Sequence, residues 1–391
     1  MTESTDFVPY PFDNGLDGNA LKAFFVWCAK QSVSDIHIQG GNHLVISHHG
    51  RLRRASTFVL ADDTLSKLID EVFEPEVRAT AGGGHPVDRA LQLDGDMYQR
   101  YGLDRGERLR FRCNFVQATA GRLDTTIALT MRIIPTAIPD LDSLGIEDDL
   151  RSVVLPHKGL AFIGGETGSG KSTFLASVYR HCIDHDPDRK VTTTEDPIEF
   201  VLGKSGDILP ATQLQIRRDV ANFAEGIRAD LRRAPSVIGV GEMRDRETVE
   251  AGIQAGQLGH LCLSTLHIHS PGEAIPRCLN LFQAEIREAI AHDMLGVLQY
   301  IVVQKLLRTT DGKRQAAREY IIFDDPLRER LSQMPYIKWG QYIDGIIRTE
   351  KRRIADHAWR LYLQGRIARS ELAVALTSHQ LRELERGHAH E

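Results

Sequence analysis

The most specific chemistry in this chain is concentrated in Gly165-Glu166-Thr167-Gly168-Ser169-Gly170-Lys171-Ser172, which matches GxxxxGK[ST] in full. An apolar run at 160–163 precedes it, and Phe174, Leu175, Val178 and Tyr179 follow at helical spacing. Strand, glycine loop and helix in that order let backbone N–H groups and a helix N-terminus converge on a phosphate. Gly168 and Gly170 permit the close wrap. Lys171 supplies charge to β- and γ-phosphates, and the Ser172 hydroxyl is the expected Mg²⁺ ligand.

A phosphate loop alone does not name a reaction, and the acidic positions narrow it. Val237-Ile238-Gly239-Val240-Gly241-Glu242 reads as a buried strand ending in a carboxylate. Glu242 can orient and deprotonate an attacking water, work worth about 10² to 10⁴-fold for a positioned base; the alternative is a solvent-facing strand end. Glu195-Asp196-Pro197-Ile198-Glu199 offers three carboxylates in five residues. This cluster, with Asp196 as a candidate metal ligand, suits Mg²⁺ and water positioning beside a triphosphate, or is an ordinary acidic turn. His260 and His267 bracket the run 261–266. His267 and His269 form an HxH pair without a further ligand at zinc spacing, so contact with the γ-phosphate, or sensing its loss, is the better reading of His267.

These residues need elements to place them. Short apolar runs at 160–163, 190–194, 237–240 and 261–265 alternate with longer helical stretches from residue 141, the pattern of a parallel sheet with crossover helices. From about residue 274 the chain reads as mostly helical, and residues 346–386 hold nine Arg or Lys against five Asp or Glu, best taken as a solvated face. The first third is different: a helical stretch at 21–29, an alternating strand at 34–38, a helix at 64–79, and β-rich segments at 108–117 and 124–134 around a turn at Ala120-Gly121-Arg122. Pro135 and Pro139 break all periodicity between these regions. The expected organisation is therefore a flexible segment 1–20, an amino-terminal domain 21–134, a linker 135–140 and a nucleotide domain 141–391, all of α/β class.

Composition bounds the rest. The 391 residues are 42% hydrophobic and 26% charged, ordinary for a globular chain of two or three domains. A formal charge of −5 gives no general pull toward nucleic acid or anionic lipid. Five cysteines without a CxxC pair argue against a disulfide framework and for a reduced, cytoplasmic compartment. No signal-peptide pattern opens the chain, and apolar runs of about ten residues fall short of the roughly 20 that cross a bilayer.

The ordered set 165–173, 195–200, 240–245 and 259–267 resembles the Walker A, Asp box, Walker B and His box of secretion ATPases, the motors of type II and type IV secretion and of type IV pili. Ser34-Asp35-Ile36-His37-Ile38 is similar to the opening strand of the PAS-like domain of that family, and Arg112-Cys113-Asn114, Gly121-Arg122 and Met131-Arg132-Ile133-Ile134-Pro135 look like its arginine-bearing strands. Leu231-Arg232-Arg233-Ala234-Pro235 departs from the acidic form of pilus retraction motors and resembles the branch containing DotB of type IVB secretion and TraJ of I-type conjugative plasmids.

The resemblance implies a PAS-like domain followed by a RecA-like ATPase domain with a helical carboxy-terminal part, and a loop site running from Gly165 through Thr173. It implies a homohexamer that binds ATP and Mg²⁺ between its domains and docks on membrane-embedded machinery at the inner face of the bacterial inner membrane, without inserting into it. Arg112, Arg122 and Arg132 are then candidates to reach the γ-phosphate, where an arginine finger is worth about 10³ to 10⁵-fold; for each the alternative is a structural surface charge. Two other classes compete. A nucleic-acid translocase would want a basic channel with stacking aromatics, against an aromatic content of 7%. A small-molecule phosphotransferase has no use for the long domain ahead of the loop.

Overall fold

The structure, a computed structural model, describes residues 7–13, 15–31, 33–48, 51–134, 137–204 and 206–388. The chain forms two compact units, one ending at Ala137 and one starting at Ile138. Pro135 and Thr136, the start of the expected linker, lie outside the described residues.

The first unit is a six-stranded antiparallel sheet: β1 (Val33–Gln39), β2 (Val45–His48), β3 (Arg51–Arg54), β4 (Val87–Asp94), β5 (Arg108–Ala120) and β6 (Leu123–Ile134), in the order β3-β2-β1-β6-β5-β4. Alternation along each strand sends one set of side chains inward. On β5, Phe111, Cys113 and Phe115 are fully buried while Arg112 between them is exposed. The helices Gly18–Lys30, Asp62–Phe73 and Pro75–Gly82 contribute to the same core through Phe24, Phe25, Leu68 and Val77. Two expectations need correction here. The single helix over 64–79 is two, broken at Glu74 (φ 89°), because Pro75 disfavours helical geometry in the residue before it. The segment before residue 20 is packed where described: the Phe7 ring lies 5.6 Å from Trp27, Tyr10 lies 5.5 Å from Phe24, and the Tyr10 N–H donates to Ala55 O at 3.0 Å. Three aromatics within six residues outweigh the glycine and proline punctuation.

The second unit carries a seven-stranded sheet of β7 (Gly159–Gly164), β8 (Val191–Glu195), β9 (Thr212–Gln215), β10 (Val237–Val240), β11 (Leu261–Leu266), β12 (Leu298–Arg308) and β13 (Arg314–Ile322), ordered β13-β12-β7-β11-β10-β8-β9. Strands β7 to β12 pair in parallel and only β13 is antiparallel. Every residue of β7, β10 and β11 is buried, as in a parallel sheet covered on both faces. The helical reading from residue 274 misses β12 and β13. The apolar run Tyr300–Val303 inside Leu298–Arg308 does not by itself distinguish a buried strand from a buried helix, and here the β-branched Ile301, Val302 and Val303 in a central position make it a strand. Helices resume from Asp325. Among the described residues, no helix is long and apolar enough to cross a membrane.

Candidate active site

Parallel strands end at the same edge of a sheet, which is where this unit gathers its reactive groups. Register sets Gly164 opposite Leu266, Ser264 opposite Val240, and Val240 opposite Thr194. The chain leaves these four neighbouring strands as the phosphate loop, His267, Glu242 and Glu195 respectively. This is the crevice at the carboxyl ends of the strands where open α/β sheets bind ligands.

The loop leads from β7 straight into the helix Lys171–His185, with Gly165, Gly168 and Gly170 at φ of 137°, 82° and 88°. A side chain at Gly165 would also meet Gln304 O and the Ser169 hydroxyl, each at 2.5 Å. Lys171 lies back over the loop, its Nζ donating to Gly165 O (2.7 Å) and Glu166 O (2.9 Å). Burial pulls its pKa down, and Glu242 and Glu199 act the other way, so both carboxylates face this ammonium. Ser172 and Thr173 open the helix, half-buried, while Thr167 completes the exposed crest of the loop.

Glu242 and His267 form a pair, Oε1 to Nε2 at 3.8 Å, with Gly241 O taking the Thr265 hydroxyl at 2.6 Å beside them. His269 faces the loop instead, its Nδ1 4.0 Å from Glu166 Oε1. His260, at the other end of β11, is engaged with Pro235 O at 2.7 Å, away from this edge. The acidic pentad divides by role. Glu195 Oε1 accepts from the Thr193 hydroxyl (2.6 Å) and Gln213 Nε2 (3.0 Å), and burial raises its pKa. Its carboxylate is thus held by its own sheet, whereas Glu199 is exposed and faces Lys171. Asp196 is exposed and 3.9 Å from Arg244.

The three arginines belong to the first unit. Arg122 is exposed in the β5–β6 turn. Arg112 and Arg132 stand directly opposite each other on β5 and β6, an arrangement that repels. Asp35, the partner of Arg132 on β1, binds its guanidinium at 2.8 Å and offsets one of the two charges.

Two supporting residues lie outside the four nucleotide motifs, though Gln304 opens Gln304-Lys305-Leu306-Leu307, a stretch that also looks like the DotB branch. Gln304, 3% exposed on β12, donates to Ser169 O at 2.9 Å, while its own Oε1 and the Ser169 hydroxyl are buried without a partner. Its signal was an amide inside an apolar run. Gln213 on β9 donates to both Glu195 and Phe200 O (2.8 Å) and accepts from Leu202 N (2.9 Å), pinning the loop after β8. Nothing in its local sequence marks it. Beside the phosphate loop a cavity of about 780 Å³ begins at Gly170 and Thr173 and runs between Pro139 and the β12–β13 hairpin. That is the size of a small-ligand site.

Among the described residues no three His, Cys, Asp or Glu side chains could hold a metal by themselves. The oxygen donors at this edge, the half-buried Ser172 hydroxyl and the exposed Asp196 carboxylate, are of the kind a hard ion such as Mg²⁺ takes beside phosphate and water.

Comparison with known proteins gives a consistent result. The family described as type II/IV secretion system protein matches residues 28–380. The type IV pilus retraction ATPase PilT of Pseudomonas aeruginosa is 30% identical over 318 residues, spanning 81% of this chain and 86% of that protein. The X-ray structure of the Legionella pneumophila ATPase DotB superposes with a TM-score of 0.80 at 31% identity, covering 95% of this chain and 97% of the other. The crystal structure of the pilus retraction motor PilT with bound ADP gives 0.78 at 28% identity, covering 95% and 99%.

Proposed function

Because this chain belongs to the type II/IV secretion system protein family, we propose that it is the homohexameric motor of a type IVB-like secretion or conjugative transfer apparatus, acting in the cytoplasm through membrane-embedded partners. It is an ATP hydrolase. The observation that carries the reading is the convergence, at one edge of one parallel sheet, of the Lys171 loop with the Glu242–His267 pair. Lys171 exchanges its contacts with Gly165 O and Glu166 O for phosphate oxygens. Glu242 orients the attacking water and takes its proton, and His267, 3.8 Å away, reports the state of the γ-phosphate to that carboxylate. Glu195 holds the loop that presents Glu199 and Asp196. Mg²⁺, when bound, neutralises phosphate charge; Ser172 and Asp196 are the residues assigned to hold it. Arg112, Arg122 and Arg132 supply further positive charge to the nucleotide. The cavity beside Gly170 and Thr173 takes the nucleoside.

Steady-state ATPase assays test the site. Glu242→Gln lowers turnover by about 10² to 10⁴-fold while keeping ATP binding, and Lys171→Ala loses binding as well. Unchanged turnover in either variant overturns the assignment. A second apparatus has its own support: similarity to PilT over 81% of the chain favours pilus retraction. A deletion strain scored for plasmid transfer, effector delivery and twitching separates the two, and a native mass with and without ATP tests the ring.

A further inference from the structure

One wall of the cavity beside the phosphate loop is backbone, the turn at Leu144–Gly145, and a buried arginine holds it. Arg318 comes from β13, is 2% exposed, and lines the cavity. Its Nη1 donates to Gly145 O (2.9 Å) and its Nη2 to Leu144 O (2.8 Å), so the planar fork fixes both carbonyls at once. The same guanidinium lies 5.9 Å from the centre of the Phe174 ring, and Phe174 stands on the helix that the phosphate loop opens and lines the same cavity. Behind it, Glu147 is 3.8 Å from Nη1 and 2.7 Å from His357 Nδ1. The Arg318 backbone N–H donates to that His357 nitrogen at 3.1 Å. One buried cation thus ties the wall, the loop helix and, through His357, the helix Ile354–Leu363 together.

Taking a guanidinium out of water is costly, and burial accordingly lowers its pKa. Two carbonyls alone could be satisfied by a neutral donor. What arginine adds is a rigid plane that meets two carbonyl oxygens at once while its charge lies over the Phe174 ring, which neither lysine nor glutamine reproduces. The wall is also the stretch of chain that follows the unit boundary at Ala137 in sequence.

We infer that Arg318 is the positioning residue for the nucleoside half of the ligand, holding the Leu144–Gly145 wall toward Phe174 so that base and ribose are gripped independently of the triphosphate. This rests on the nucleotide reading above. Phosphate and nucleoside are then held by separate supports, the loop for one and the Arg318 clamp for the other.

The test is calorimetric titration of the full chain with Mg-ATP and with Mg-tripolyphosphate, which lacks base and ribose. Wild type binds both; binding neither overturns the nucleotide reading and this inference together. Arg318→Gln is expected to raise the Kd for ATP about tenfold, with tripolyphosphate affinity unchanged within about twofold. Equal loss of both ligands, as a merely structural residue would give, or no loss of either, overturns the inference alone. Should Arg318→Gln not fold, Gly145→Val distorts the same wall at a φ of 57° without touching the arginine. It must then show the same split between ligands, and its absence is equally decisive.

Discussion

The two sheets of this protein handle charge in opposite ways. In the second unit β7, β10 and β11 are buried throughout, and the acidic groups of the site stand where strands end, held by neighbours: Glu195 by Thr193 and Gln213, Glu242 beside His267. In the first unit the antiparallel sheet buries one face and leaves the other to solvent, so arginines stand along the strands themselves. Arg112 and Arg132 face each other there, and Asp35, on the other side of Arg132, offsets one of the two charges. A buried strand end fixes a catalytic group in place at a cost in stability. An open sheet face keeps its cations in water at little cost in stability.

That contrast predicts a separation of activity from stability. Replacing Arg112, Arg122 or Arg132 by Ala should leave the thermal midpoint nearly unchanged, since an exposed ion pair such as Arg132–Asp35 contributes about 0 to 1 kcal/mol. At least one of the three should lose about 10³-fold or more in turnover. If all three retain turnover, the open face has no part in the chemistry.

The second unit should show the reverse sensitivity to pH. Burial, above all, pushes the Glu319 carboxyl up to about 7, with Asp344 and Asp356 adding to it and the Ile354 N–H and Arg353 opposing. The folded form then holds a proton that the unfolded form releases near its ordinary 4.5, so stability falls as pH rises from about 4.5 to 7 and the loss is complete above that. Relative to Glu319→Gln, wild type should lose on the order of 2 to 3 kcal/mol across that window in denaturant titrations. Parallel pH profiles for the two proteins would remove the burial argument.

The smallest effect is expected at Gln213. Its replacement by Ala leaves Glu195 and the Phe200 carbonyl short of a donor and should cost about 1 to 3 kcal/mol. Turnover should fall with it, because the loop after β8 is no longer pinned. Loss of one without the other would show that strand-end support and catalysis are separable in this sheet.

The legible part of the protein was the part encoded locally. The phosphate loop, the strand before it and the helix after it need only neighbouring residues, and the alternation of β5 announces its two faces. The helix break at Glu74 is also local, since Pro75 disfavours helical geometry in the residue before it, although apolar residues at helical spacing run on through both helices. Strands β12 and β13 were not legible: the apolar run Tyr300–Val303 in β12 has no period to read, and Arg314–Ile322 does not alternate apolar with polar residues.

Residue types and spacing by themselves determined that the chain holds a phosphate loop followed by carboxylates at strand ends, because glycine conformations and helix N-termini are short-range properties. Strand order is not. Only the tertiary structure decided that β11 lies next to β7 and β10 next to β11, which turns Glu242, paired with His267, toward Lys171. Only packing brought Gln304 onto the Ser169 carbonyl and Arg318 onto Leu144 and Gly145. Those contacts join residues more than 130 positions apart in the chain, and buried polar groups that must be satisfied find their partners across whatever surface the fold brings to them.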